Sequence, residues 1–134
     1  MLDTSAAIAC TIASHPSHRA AMAAAANHRI GLAGHAVFET YSVLTRLSPP
    51  YRLTAASARH VIGTSFPHSR YLTPERAAGL IGEFTRLGIT GGAVYDALIG
   101  ACAVLHRVPL LSFDARAGAT YAALGVDLVP IETR

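Results

Sequence analysis

Short apolar stretches alternate with helix-forming segments along the whole of this chain, and that alternation limits the folds open to it. Met1-Leu2 is a stub of apolar strand ended by Asp3, and residues 29–33, 108–113 and 126–131 are further strand candidates. Residues 66–72 form a loop with room for a short strand. Helices are predicted over 4–13, 18–26, 35–47, 73–87 and 93–106, after a Thr54 cap to residue 62, and from Asp114 to Leu124. Strand and helix in repeated succession pack as a parallel sheet with helices on both faces. The length, 134 residues, suits one domain with one core. No internal repeat, low-complexity tract or linker interrupts the pattern.

Local punctuation supports these boundaries. His15-Pro16-Ser17 and Ser48-Pro49-Pro50 stop helices. Thr73-Pro74 starts one, with a hydroxyl at the cap and proline at the first helical position, and Gly88 ends it. Gly31 weakens its strand. In open parallel sheets, ligands bind beyond the carboxyl ends of the strands. Asp3 and Asp114 both occupy that position.

Composition removes several classes of chemistry. All 11 basic residues other than histidine are arginine, so a Walker phosphate loop, a Schiff base and a lysine general base are excluded. A formal charge of +3 and a pI near 9.2 favour a polyanionic partner such as nucleic acid. Hydrophobic residues make up 51% and charged residues 14%, the composition of a folded chain rather than a disordered one. Cys10 and Cys102 lie in apolar, alanine-rich stretches without a C-x-x-C pattern, which points to a reducing cytoplasm. The longest apolar stretch, 91–105, is interrupted by Asp96 and is too short to span a bilayer.

Eight residues are acidic. Glu75, Glu83, Asp127 and Glu132 stand in polar or terminal contexts and read as surface residues. The other four do not. Asp96 lies in Ala93-Val94-Tyr95-Asp96-Ala97-Leu98-Ile99, within a helix apolar on all sides and therefore expected to be buried. A buried carboxylate needs a compensating cation or is driven to protonate; the plain alternative is stabilisation by a helix N-terminus. Glu39 interrupts the apolar helix that starts at His35, where the plain alternative is an exposed stripe shared with Ser42 and Arg46. Asp3 and Asp114 each follow a strand and open a helix, so each also suits an N-cap.

Four carboxylates brought to one place repel one another. Hard divalent cations remove that penalty, and Mg²⁺ and Mn²⁺ prefer oxygen ligands. One or two such ions can stabilise the attacking and leaving oxygens of a phosphodiester, with activated water as nucleophile and arginines holding the substrate.

At this point the residues resemble a known family. Leu2-Asp3-Thr4-Ser5-Ala6, His35-Ala36-Val37-Phe38-Glu39, Gly91-Gly92-Ala93-Val94-Tyr95-Asp96-Ala97-Leu98-Ile99 and Leu110-Leu111-Ser112-Phe113-Asp114 are similar, in this order, to the four acidic motifs of PIN-domain ribonucleases of the VapC toxin type. Tyr121-Ala122-Ala123-Leu124-Gly125-Val126 resembles their final helix–strand unit. The resemblance implies a three-layer α/β/α sandwich with a central parallel sheet. It implies an endoribonuclease that uses Mg²⁺ or Mn²⁺, is inhibited by a cognate VapB-like antitoxin, and forms a homodimer. Carried over, Asp3, Glu39, Asp96 and Asp114 are the catalytic and metal-binding residues. Ser112 stands where the family often has threonine and keeps a hydroxyl beside the site. Arg116 is placed to contact phosphate or an inhibitor carboxylate, although a solvated helix residue needs no such role. One departure concerns the start: only Met1 and Leu2 precede Asp3, so the first strand is expected to fray and Asp3 to be loosely placed.

Other readings fit poorly. The seven histidines show no H-E-x-x-H or paired Cys/His spacing for zinc. Receiver and phosphoaspartyl enzymes need a lysine. G-x-G-x-x-G and G-x-S-x-G are both absent. The open alternative is a PIN-like binding module that acts mainly through its antitoxin partner, with weak or no cleavage.

Overall fold

The computed structural model describes residues 1–131; Glu132, read above as a surface residue, lies outside the described residues. Among them, five extended segments pair through isolated bridges: β1 (residue 2), β2 (31–33), β3 (67–70), β4 (110–111) and β5 (128). Leu2 bridges Leu32 on one side and Leu111 on the other, both in parallel, and Leu110 bridges Leu128 in parallel. Beyond β2, Ala33 bridges Arg70 in parallel while Gly31 bridges Pro67 antiparallel. The spatial order is therefore β3–β2–β1–β4–β5. The chain begins at the centre, moves outward through β2 and β3, and returns to the other side of β1 for β4 and β5. Such a reversal leaves a crevice at the carboxyl ends of the central segments.

The fold is α/β, as the alternation predicts, but the extended segments are much shorter than expected. The 108–113 candidate pairs only at 110–111, and the 126–131 candidate only at Leu128. A strand persists only where its neighbours supply partners. Here β1 supplies Leu2 alone, and Pro109 has no N–H to donate.

The expectation of a frayed β1 is wrong. Leu2 N–H donates to the Gly31 carbonyl (2.9 Å), and the Leu2 carbonyl accepts from Ala33 (3.1 Å). On the other side Leu111 N–H donates to Met1 (2.8 Å), and Asp3 N–H donates to Leu111 (3.1 Å). Being central, so short a segment is paired along both edges, and Asp3 is only 3% exposed.

Helices α1 (Thr4–Thr11), α2 (His18–Ala25), α3 (His35–Arg46), α4 (Ala55–Ser65), α5 (Pro74–Leu87), α6 (Ala93–His106) and α7 (Gly118–Leu124) connect the segments, with a 3₁₀ turn (Ala115–Ala117) before α7. Caps decide several of these limits. Thr73 Oγ1 accepts from the Arg76 N–H (3.2 Å), and Gly88 closes α5 in the left-handed region at φ 68°. Thr54 Oγ1 accepts from the Ser57 N–H (3.1 Å), and α4 continues past the expected residue 62 to Ser65. The helix predicted from Asp114 opens as the 3₁₀ turn instead. No helix among the described residues is long and apolar enough to cross a membrane.

One core cluster joins Leu2, Leu32, Leu110 and Leu111 of the sheet to Ala6, Ile99, Cys102 and Tyr121 of the helices. A second joins Leu80 and Phe84 of α5 to Ala97 and Ala101 of α6. Gly100 permits the close approach of α7 to α6, because a Cβ there would meet Tyr121 Cδ1 and Val126 Cγ2 at 3.0 Å. On α3, Ala36, Thr40 and Leu44 form the buried stripe. The Thr40 hydroxyl is fully buried and has no hydrogen-bond partner among the described residues. An orphaned buried hydroxyl costs roughly 1–3 kcal/mol. Thr40→Val is therefore expected to raise stability by about 1 kcal/mol, read from the urea midpoint. A lower midpoint would show that the hydroxyl is satisfied in solution.

Candidate active site

The topology brings the four singled-out acids to one edge. Asp3 directly follows β1, Asp114 lies just beyond β4, and α3, which carries Glu39, starts just after β2. Helix α6 leads into β4, so its first turn, with Asp96, lies at the carboxyl end of the parallel segments.

Asp3 is held from three directions. Its Oδ1 accepts from Ser5 Oγ (2.6 Å) and from the Ala6 N–H (3.0 Å), and its Oδ2 accepts from the Tyr121 hydroxyl (2.9 Å). Ser5 Oγ in turn accepts from the Phe113 N–H (2.8 Å), which ties the end of β1 to the end of β4. Asp3 caps α1, as the plain alternative required. A carboxylate offers about four acceptor positions, so three donors leave capacity for another ligand.

Asp114 caps the 3₁₀ turn, with Oδ1 accepting from the Arg116 N–H (3.0 Å). The Arg116 guanidinium forks onto the same carboxylate, Nε to Oδ1 at 3.3 Å and Nη2 to Oδ2 at 3.2 Å, with its own side chain 91% exposed. Ser112 Oγ accepts from the Asp114 N–H (3.1 Å).

Glu39 does not join an exposed stripe. Ser42 and Arg46 face solvent, but Glu39 is half-buried. Its Oε2 accepts from Thr4 Oγ1 (2.8 Å), and its Oε1 lies 3.3 Å from His35 Nε2.

Asp96 is half-buried, not enclosed as the apolar surroundings in sequence suggested, since α6 leaves Tyr95 and Val104 exposed. No donor among the described residues bonds to its carboxylate. Partial burial pushes the Asp96 carboxyl above its ordinary range, and the charges of Asp114, Glu39 and Asp3 push it further; Arg116 pulls it partly back. All four acids therefore share one electrostatic neighbourhood. Among the described residues, no three carboxylate, imidazole or thiol groups already converge closely enough to grip one ion.

A cavity of about 500 Å³ lies elsewhere. Arg29, Pro109, Asp127 and the Met1 end line it at the amino ends of the segments, and none of the four acids does. The Met1 ammonium donates to the Pro109 carbonyl there (2.7 Å).

Thr4, Ser5, His35 and Tyr121 were not singled out in the sequence as donors to these acids. Thr4 and Ser5 are adjacent to Asp3 and could have been found as cap-turn hydroxyls. Tyr121 is 118 positions from Asp3 and carried no signal. Its phenol is pushed well above the ordinary range by burial and then by the Asp3 charge and hydrogen bond, so it stays a donor. Tyr121→Phe leaves one buried oxygen of Asp3 without that donor. Losing a hydrogen bond to a buried charged group costs about 1–3 kcal/mol, so the variant's urea midpoint should fall accordingly; an unchanged midpoint would mean Asp3 is held without the phenol.

The PIN domain family matches residues 1–122. The chain is 41% identical over 128 residues to "Ribonuclease VapC27" of Mycobacterium tuberculosis (strain ATCC 25618 / H37Rv), covering 96% of this chain and 93% of that protein. It is also 41% identical over 128 residues to "Ribonuclease VapC40" of Mycobacterium tuberculosis (strain CDC 1551 / Oshkosh), covering 94% of each. No solved structure matches it significantly. With four acids at the carboxyl edge of a parallel α/β arrangement and a match along nearly its whole length, the chain belongs to the PIN domain family.

Proposed function

We propose that this chain is a Mg²⁺- or Mn²⁺-dependent endoribonuclease, one domain over residues 1–134, acting as the toxin of a toxin–antitoxin pair. The observation that carries the reading is Asp96, a half-buried acid with no donor among the described residues, which burial and then the charges of Asp114, Glu39 and Asp3 drive toward protonation. Such a cluster needs positive charge, and among the described residues its nitrogen partners are the exposed Arg116 guanidinium, already forked onto Asp114, and the His35 imidazole beside Glu39. The donor chemistry fits a hard cation, because the four acids and the hydroxyls of Thr4, Ser5 and Ser112 offer oxygen only. A bound cation would offset the repulsion among the acids. The relatives' name, ribonuclease, supports RNA as the substrate.

Asp3, Glu39, Asp96 and Asp114 would hold one or two ions. When bound, Mg²⁺ or Mn²⁺ supplies Lewis acidity at the phosphodiester and acidifies the attacking water. The chain's own residues do the rest. Ser5, the Ala6 N–H and Tyr121 hold the Asp3 carboxylate in place, and Thr4 orients Glu39. Ser112 sets the backbone that presents Asp114, and Arg116 can move from Asp114 to a phosphate once the acids are neutralised. A cognate VapB-like antitoxin, a homodimer, a cytoplasmic setting and the three-layer α/β/α arrangement belong to the same reading.

The test is cleavage of total RNA by the purified protein. Discrete products are expected in Mn²⁺ or Mg²⁺ and none after EDTA. An active-site-intact protein that cuts no RNA in either ion would move it to the binding-module reading.

A further inference from the structure

Phe38 and Tyr95 are among the most exposed large apolar side chains of the protein, at 63% and 53%. They come from different helices, α3 and α6, yet they meet around one ring. The His35 imidazole stacks on Tyr95 with centroids 5.3 Å apart and planes at 19°, and it lies 6.5 Å from the Phe38 ring at a tilt of 46°. The group borders the acids directly: Phe38 precedes Glu39, Tyr95 precedes Asp96, and His35 Nε2 is 3.3 Å from Glu39 Oε1.

We infer that Phe38, His35 and Tyr95 form a base-stacking platform that seats an unpaired nucleotide of the substrate next to the bond to be cut. This rests on the nuclease reading above. Contact to the phosphate, from a bound ion or from Arg116 released by Asp114, would fix the backbone of the substrate but not its base. Stacking does not depend on charge. Every base has a π face, so aromatic side chains hold single strands with little sequence preference. Bases inside a duplex are already stacked on one another and cannot use the rings, whereas splayed bases of loops and ends can. A partner protein could also cover exposed rings. The nucleic-acid occupant is favoured because the rings adjoin the acids, where a phosphodiester must arrive.

The experiment uses a short single-stranded RNA carrying 2-aminopurine, titrated into the Asp96→Asn protein so that nothing is cut. Binding should quench the fluorophore. Adding Phe38→Ala or Tyr95→Ala should weaken binding by about tenfold each and relieve the quenching. Phe38→Leu, which keeps apolar bulk but no π face, should behave like Phe38→Ala, while Phe38→Tyr should retain binding. In the cleaving protein the same changes should appear as a raised KM. Both rings are exposed, so none of these changes opens a cavity, and thermal melting checks the fold. Unaltered affinity and quenching in both alanine variants would overturn the platform. So would equal binding of the duplex form, or variants that lose self-association while keeping RNA affinity, which would assign the rings to a second copy of the chain. A wild type that cuts no RNA in Mn²⁺ would refute the nuclease reading alone, since the fluorescence titration reports the platform without cleavage.

Discussion

Asp96→Asn is expected to lower RNA cleavage in Mn²⁺ at least about a hundredfold, the lower bound set by the 10–100-fold cost of losing mere outer-shell support at metal sites. The replacement keeps shape and removes one negative charge, so the fold and the far-UV spectrum should be unchanged. Stability supplies an independent readout. In the folded, metal-free protein the Asp96 pKa is raised, by burial first and by Asp114, Glu39 and Asp3 next. The folded state therefore holds this proton more tightly than the unfolded chain. The associated stability is complete below the unfolded carboxyl value, about 3.9, and is lost as pH rises through the higher folded value. At neutral pH without metal, the asparagine variant should thus melt above the wild type, and the gap should close in acid. Mn²⁺ should reverse the order, raising the wild-type melting temperature and leaving the variant nearly unmoved. A variant that still cleaves, or that melts below the wild type at neutral pH in EDTA, would remove Asp96 from the acid cluster.

Gly31→Ala should destabilise the protein by about 3 kcal/mol or more, at the upper end of what overpacking a filled interior costs, a fall in melting temperature on the order of 10 °C. A Cβ at residue 31 would strike backbone, namely the His68 carbonyl group and the Ser69 nitrogen, rather than the yielding end of a side chain. The contact is built in on both sides of it: His68 N–H donates to Ile30 (3.1 Å), Leu32 N–H to Ser69 Oγ (3.0 Å), and Arg70 N–H to Leu32 (3.2 Å). Because β2 runs into Gly34 and α3, displacing β3 also shifts Glu39, and cleavage should fall with stability. Urea unfolding of the two proteins decides the matter. An alanine variant with the wild-type midpoint would mean that 67–70 does not lie across Gly31.

Gly31 also shows how local reading errs. In the sequence it weakens a strand, since glycine carries the largest entropic cost of ordering. In the fold it is the one residue thin enough for β3 to cross, a condition set by a segment 37 positions away. The extended segments erred in the opposite direction, since the apolar character of 108–113 persists beyond Leu111 while its pairing does not. Helix limits were read well wherever the cap lies within three or four residues, as at Thr73 and Gly88.

The sequence by itself determined the α/β class, the helix limits marked by a local cap and the four acids that stand out, because caps, apolar runs and a charge among apolar neighbours act over a few residues. Only the tertiary structure decided the order of the segments, the half-exposure of Asp96, the donors from Ser5, Thr4 and Tyr121, and the stacking of His35 on Tyr95. A hydroxyl or an aromatic ring is tolerated almost anywhere along a chain. Its partner is chosen by packing between segments far apart, and that packing has no local signature.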